Sequence, residues 1–87
     1  MATHFTDKVV IFTLSNCKNS IYAKQLISAK GVTVKEYDAS ILENFMMLKS
    51  RGEFTTTPQI FVNDVLLGGY ERLAQLSRSG ELMNFLR

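Results

Sequence analysis

The sequence predicts an α/β domain in which a four-stranded mixed sheet, built in the order β-α-β-α-β-β-α, carries helices on both faces. Three observations point there. Lys8-Val9-Val10-Ile11-Phe12-Thr13 is a short, largely apolar and β-branched run, as a strand covered on both faces requires. Stretches with apolar residues three and four apart follow it, separated by Gly31, Arg51-Gly52 and Ser79-Gly80. Gln59-Ile60-Phe61-Val62 and Val65-Leu66-Leu67 flank Asn63-Asp64, two residues that tolerate the positive φ of a tight hairpin.

After the first strand, Ser15 and Asn16 are expected to cap a helix carrying Ile21, Ala23, Leu26, Ile27 and Lys30, stopped at Gly31. Val32 to Tyr37 alternates apolar with polar and is expected to be a strand with one buried face. Asp38 and Ser40 offer caps, so the second helix is expected to begin near Ser40, with Ile41, Leu42, Phe45, Leu48 and Lys49 at helical spacing. A polar loop, Glu53 to Thr57, leads to the antiparallel pair. Gly68-Gly69 then breaks the strand pattern before Tyr70, Leu73, Leu76 and Ser77, and Glu81 to Leu86 adds a final turn or two. A right-handed crossover makes the first two strands parallel.

Eighty-seven residues, 46% hydrophobic, suit a single domain spanning 1–87, with no repeat or linker. The apolar stretches fall short of the ~18 residues of a membrane helix, and the first residues lack the basic and apolar blocks of a secretory signal. One cysteine forms no internal disulfide, so a reducing compartment such as the cytoplasm is expected. Ten basic and eight acidic residues, net +2, are scattered rather than clustered, which argues against nucleic-acid binding. His4 is expected in a solvated tail, the four methionines fit core filling, and no metal site is expected. Asp38 and Glu43, near a helix start, are assigned to capping and dipole effects.

The chemistry is expected at Cys17, at the carboxyl end of a parallel strand and the start of a helix. There, unpaired N–H groups and the helix dipole favour thiolate over thiol, and Lys18 adds a neighbouring positive charge. A lone cysteine is often an inert core residue, but Ser15, Asn16, Lys18, Asn19 and Ser20 around it are all polar, which suits a surface junction.

Ile11-Phe12-Thr13, Cys17-Lys18-Asn19-Ser20, Thr57-Pro58 before a strand, and Gly68-Gly69-Tyr70 together resemble a glutaredoxin over nearly the whole chain. The resemblance implies a thioredoxin-like fold and a glutathione-dependent disulfide oxidoreductase with Cys17 as nucleophile. Ser20 stands where the usual Cys-Pro-Tyr-Cys has its second thiol, which implies a monothiol cycle completed by glutathione as co-substrate, Ser20 donating a hydrogen bond toward the thiolate. Lys18, Asn19, Thr57, Pro58, Gly69, Tyr70 and Glu71 are the implied glutathione contacts: a cis Thr57-Pro58 loop pairs with its backbone, and the turn at Gly68-Gly69-Tyr70 holds its γ-glutamyl end. Glutathionylated or disulfide-containing proteins are the implied partners, served by a monomer.

Two departures bear on affinity. Arg72 occupies a place where the family commonly has an acidic residue, and Leu14 one where it has lysine; Lys18 is an expected compensating charge, and Lys49 or Arg51, from the second helix, an expected contact for the glycyl carboxylate. Two rival functions remain in view: a carrier of a [2Fe–2S] cluster held by one cysteine and one glutathione from each of two protomers, and a non-catalytic interaction module on a thioredoxin fold.

Overall fold

A computed structural model describes residues 5–86; His4 lies outside them. The elements are β1 (Val9–Thr13), α1 (Lys18–Ser28), β2 (Lys35–Asp38), α2 (Leu42–Lys49), β3 (Gln59–Val62), β4 (Val65–Gly68), α3 (Tyr70–Ser79) and α4 (Leu82–Leu86). The sheet order is β2-β1-β3-β4. β1 runs parallel to β2 and antiparallel to β3, and β3 runs antiparallel to β4.

The sequence already separates the two faces of this sheet. β1 and β3 are buried at every position, and because side chains alternate along a strand their residues divide between two cores. Val9, Ile11, Ile60 and Val62 pack with Ala23 and Ile27 of α1, Leu73 and Leu76 of α3, and Leu82 and Leu86 of α4. Val10, Phe12 and Phe61 face the other way and pack with Leu48 of α2, joined by Phe5, Tyr37 and Phe54. Phe12 stacks on Tyr37 with centroids 5.2 Å apart and meets Phe61 edge-on at 5.9 Å.

The Asn63-Asp64 hairpin forms as expected, with φ of +50° and +68°. Asp64 then anchors the chain's beginning: its Oδ1 accepts from the Phe5 N–H at 3.2 Å and from Arg51 Nη2 at 2.6 Å. Between β3 and β4 the register shifts, Ile60 opposing Gly68 and Phe61 opposing Leu66, which leaves Leu67 as the extra residue of a bulge.

Three boundaries differ from expectation. Neither Ser15 nor Asn16 caps α1; Cys17 itself is the N-cap residue, with no side-chain cap hydrogen bond. Its N–H closes a tight turn onto Leu14 O at 3.0 Å, and its carbonyl accepts from Ser20 N at 3.1 Å, so the helix begins at the thiol. β2 begins at Lys35 rather than Val32, because only from there does it run alongside Val10 to Thr13; Val32 and Val34 instead pack against the core as a connection. α2 begins at Leu42 rather than near Ser40, because the Asp38 carboxylate takes both the Ser40 N–H (2.9 Å) and hydroxyl (2.7 Å), folding 38–40 into a turn ahead of the helix.

Candidate active site

Cys17 sits where β1 ends and α1 begins, at the carboxyl edge of the parallel pair, and is half-buried. Its Sγ lies 3.4 Å from the Thr57 carbonyl oxygen on the loop before β3. The Thr57–Pro58 peptide bond is cis, as the family resemblance implied, and Pro58 is fully buried.

Helical geometry places Ser20 one turn beyond Cys17. Ser20, Ala23 and Ile27 form the buried stripe of α1, at the i, i+3, i+7 spacing of a core-facing helix. Ser20 is therefore sealed from water, and its hydroxyl has no completed hydrogen bond. A buried hydroxyl without a partner is costly; a thiolate at Cys17 is an acceptor that would complete it.

The Ser20 hydroxyl is accordingly the foremost influence holding the Cys17 thiol below the usual thiol range. The Thr57 side chain acts in the same direction, partial burial opposes it, and the backbone N–H groups of Ser20 and Asn19 add to the lowering. The Thr57 carbonyl is an acceptor, so that one contact belongs to the protonated state of the sulfur.

All of the remaining candidate residues except Lys18 gather in one cleft, which meets the thiol at Thr57. Asn19, Thr57, Pro58, Gly69, Tyr70 and Glu71 line a cleft of about 410 Å³, together with Thr56 and Arg72. Gly69 is the N-cap of α3, and the first helical bond there runs from Leu73 N to Gly69 O. The N–H groups of Tyr70, Glu71 and Arg72 thus have no acceptor within the helix and form a partially positive end on the cleft. A Cβ on Gly69 would stand 3.4 Å from the Pro58 carbonyl oxygen, an ordinary contact distance, so the start of α3 lies directly against the proline loop.

Lys18 is exposed and does not line this cleft. Lys49 and Arg51, the candidates for the glycyl carboxylate, do not line this cleft: Lys49 Nζ pairs with Glu53 Oε2 at 2.6 Å, and Arg51 is drawn to Asp64 and lies over the Phe5 ring at 4.3 Å. Thr56 and Arg72 were not among the expected contacts. Thr56 lies within the polar loop, and Arg72 is one residue beyond Glu71 on the first turn of α3, where three consecutive residues fan around a helix end.

A family model described as "Glutaredoxin" matches residues 9–67. Glutaredoxin 1 of Rickettsia prowazekii (strain Madrid E) is 35% identical over 81 residues, covering 90% of this chain and 85% of its own length. Glutaredoxin 3 of Escherichia coli (strain K12) is 36% identical over 81 residues, covering 91% of this chain and 96% of its own. The solution structure of glutaredoxin from Brucella melitensis superimposes with a TM-score of 0.78 at 34% identity, covering 92% of this chain and 88% of that one.

Proposed function

Because this chain belongs to the glutaredoxin family, and is therefore a thiol–disulfide oxidoreductase, we propose that it reduces glutathione mixed disulfides through Cys17 alone. The observation that carries this reading is the placement of Ser20 one helical turn beyond Cys17: where a resolving thiol would stand, the chain has a buried hydroxyl with no hydrogen-bond partner. Cys17 is the chain's single cysteine.

In the first step the Cys17 thiolate attacks the glutathione sulfur of a mixed disulfide; the new Cys17–glutathione bond forms as the old S–S bond breaks, and its electron pair leaves with the substrate thiolate, which takes a proton from solvent. In the second step a glutathione thiolate attacks the glutathione sulfur bound to Cys17. Oxidised glutathione leaves and the Cys17 thiolate returns, so one free glutathione is consumed per mixed disulfide: its sulfur is oxidised as the substrate sulfur is reduced, and the other half of the oxidised glutathione comes from the mixed disulfide itself.

The cleft supplies the binding roles. The α-carboxylate of the γ-glutamyl group is held by the N–H groups at the start of α3 with Arg72 beside them, Glu71 takes the ammonium, and the Thr57 backbone pairs with the cysteine of the tripeptide. Asn19 and Tyr70 form the walls, and Lys18 contributes a positive field outside the cleft. The proposed setting is a reducing compartment such as the cytoplasm, with the protein acting as a monomer on glutathionylated proteins.

Mass spectrometry tests the reading directly. Incubation with oxidised glutathione is expected to add one glutathione at Cys17, released by reduced glutathione. An intact, reduced Cys17 that never acquires the adduct contradicts it.

A further inference from the structure

Thr56 and Thr57 stand between two grooves. One is the polar cleft at the start of α3; the other, about 240 Å³, is lined by Leu14, Ala39, Phe45, Leu48 and Phe54 together with Thr55 and the same two threonines. Among the described residues, no charged side chain lines this second groove. Leu14 and Phe45 are each 42% exposed on its rim, hydrocarbon presented to water beside the candidate active site.

The Thr57 carbonyl lies 3.4 Å from Sγ, and Thr56 and Thr57 line both grooves. A peptide paired with the Thr57 backbone beside the thiol would thus have one end toward the polar cleft and the other toward the apolar groove. Glutathione carries charge at both ends. Its amino-acid end, with carboxylate and ammonium together, matches the cleft with its helix terminus, Glu71 and Arg72. Its glycyl carboxylate is then directed at hydrocarbon, and neither Lys49, drawn to Glu53, nor Arg51, drawn to Asp64, lines this groove. Moving a carboxylate against such a wall is unfavourable, whereas an uncharged apolar side chain gains by covering it.

We propose that the groove beside Leu14 and Phe45 receives the apolar side chain of the residue that follows the exchanging cysteine in a peptide substrate. The chain then favours disulfides of cysteine followed by an uncharged apolar residue over the cysteinyl-glycine end of glutathione. The inference rests on the reading that Cys17 exchanges disulfides. The step itself is the same exchange: the Cys17 thiolate bonds to the peptide sulfur, the old S–S bond breaks, and the leaving thiolate takes its electron pair and then a proton from solvent.

The test uses mixed disulfides of one small leaving thiol with γ-glutamyl-cysteinyl-glycine, its glycinamide and its leucinamide, measuring kcat/KM for leaving-thiol release by the intact protein. The leucinamide is expected to exceed both others, and the glycine acid by about tenfold. Leu14→Lys is expected to reverse the order of the leucinamide and the glycine acid, and Phe45→Ser to narrow the difference. Equal rates for all three, or a glycinamide as good as the leucinamide, overturns the proposal. So does a Leu14→Lys variant that changes sedimentation of the free protein while leaving the substrate ratio unaltered, because a second copy of the chain then covers the groove. Loss of Cys17-dependent release from every substrate overturns the catalytic reading as well, and is distinct from a failure of discrimination alone.

Discussion

The sulfur of Cys17 lies 3.4 Å from the carbonyl oxygen of Thr57, a residue 40 positions further along the chain. This contact joins a helix start to a loop across the sheet edge, and it places the thiol at the boundary between a polar cleft and an apolar groove. The central antiparallel pair holds the two sides in register, Phe12 near the end of β1 opposing Gln59 at the start of β3.

Ser20→Ala is expected to shift the rising limb of the pH–rate profile to higher pH. A hydroxyl donating to the thiolate contributes about 1 kcal/mol to that state, a factor of about 5 in thiolate population at low pH. Thermal stability of the thiol form should change little or improve, because the substitution removes a buried hydroxyl with no completed bond. An unmoved pH limb would show that Ser20 has no hold on the sulfur.

The lowered Cys17 pKa also predicts a stability signature. With the folded pKa below the unfolded one, the contribution is complete above the unfolded thiol pKa and is lost as pH falls through the folded value. Denaturant unfolding of wild type and Cys17→Ser should therefore diverge toward alkaline pH, wild type gaining, with the difference levelling off above the unfolded pKa. A difference independent of pH would contradict this.

Glu36 ties three elements together: its Oε2 accepts from the Thr13 hydroxyl at 2.6 Å, and Lys24 Nζ on α1 lies 3.1 Å from its carboxylate. The Thr13 hydroxyl first, and Lys24 after it, hold the carboxyl below the usual glutamate range. The resulting stability is present above the unfolded glutamate pKa and lost as pH falls through the folded one. Glu36→Gln is expected to cost about 1 kcal/mol near neutral pH and nothing in strong acid, as read by urea midpoints. An equal cost at both pH values would point to shape rather than charge.

Arg51 and Asp64 form a mostly buried pair, with side chains 15% and 25% exposed. Arg51→Ala removes the guanidinium from Asp64 and from the Phe5 ring together, and is expected to cost about 2 kcal/mol in chemical denaturation. Arg51→Lys should recover only part of this, since an ammonium lacks the planar fork and the ring stacking. Full recovery by lysine would reduce the interaction to simple charge.

Much of this arrangement was legible in the sequence, for reasons that differ by element. The β-branched runs of β1 and β3 and the Asn63-Asp64 turn are local signals, and the structure places them as read. The cap of α1 is not legible locally: Ser15 and Asn16 have capping chemistry, yet the turn closed by Cys17 N onto Leu14 O starts the helix later. The start of β2 depended on its partner: alternation from Val32 is real, but hydrogen-bonded pairing begins only opposite Val10. The commitment of Lys49 and Arg51 depended on the folded positions of Glu53 and Asp64, which helical periodicity does not convey. The apolar groove did leave a trace: Leu14 stands among polar residues, and α2 carries Leu42, Phe45, Met46, Met47 and Leu48 where a single buried stripe needs fewer, Leu48 alone being fully buried.

A single thiolate at Cys17 is proposed to turn over glutathione disulfides. The most direct measurement is glutathione-dependent reduction of a small glutathione mixed disulfide by the wild-type protein and by Cys17→Ser, from about pH 5 to about pH 9. Turnover is expected in the wild type and is expected to vanish in the variant, with a rising limb centred below the ordinary thiol range. Activity retained without Cys17, or no activity above background in a folded wild-type protein, would contradict it.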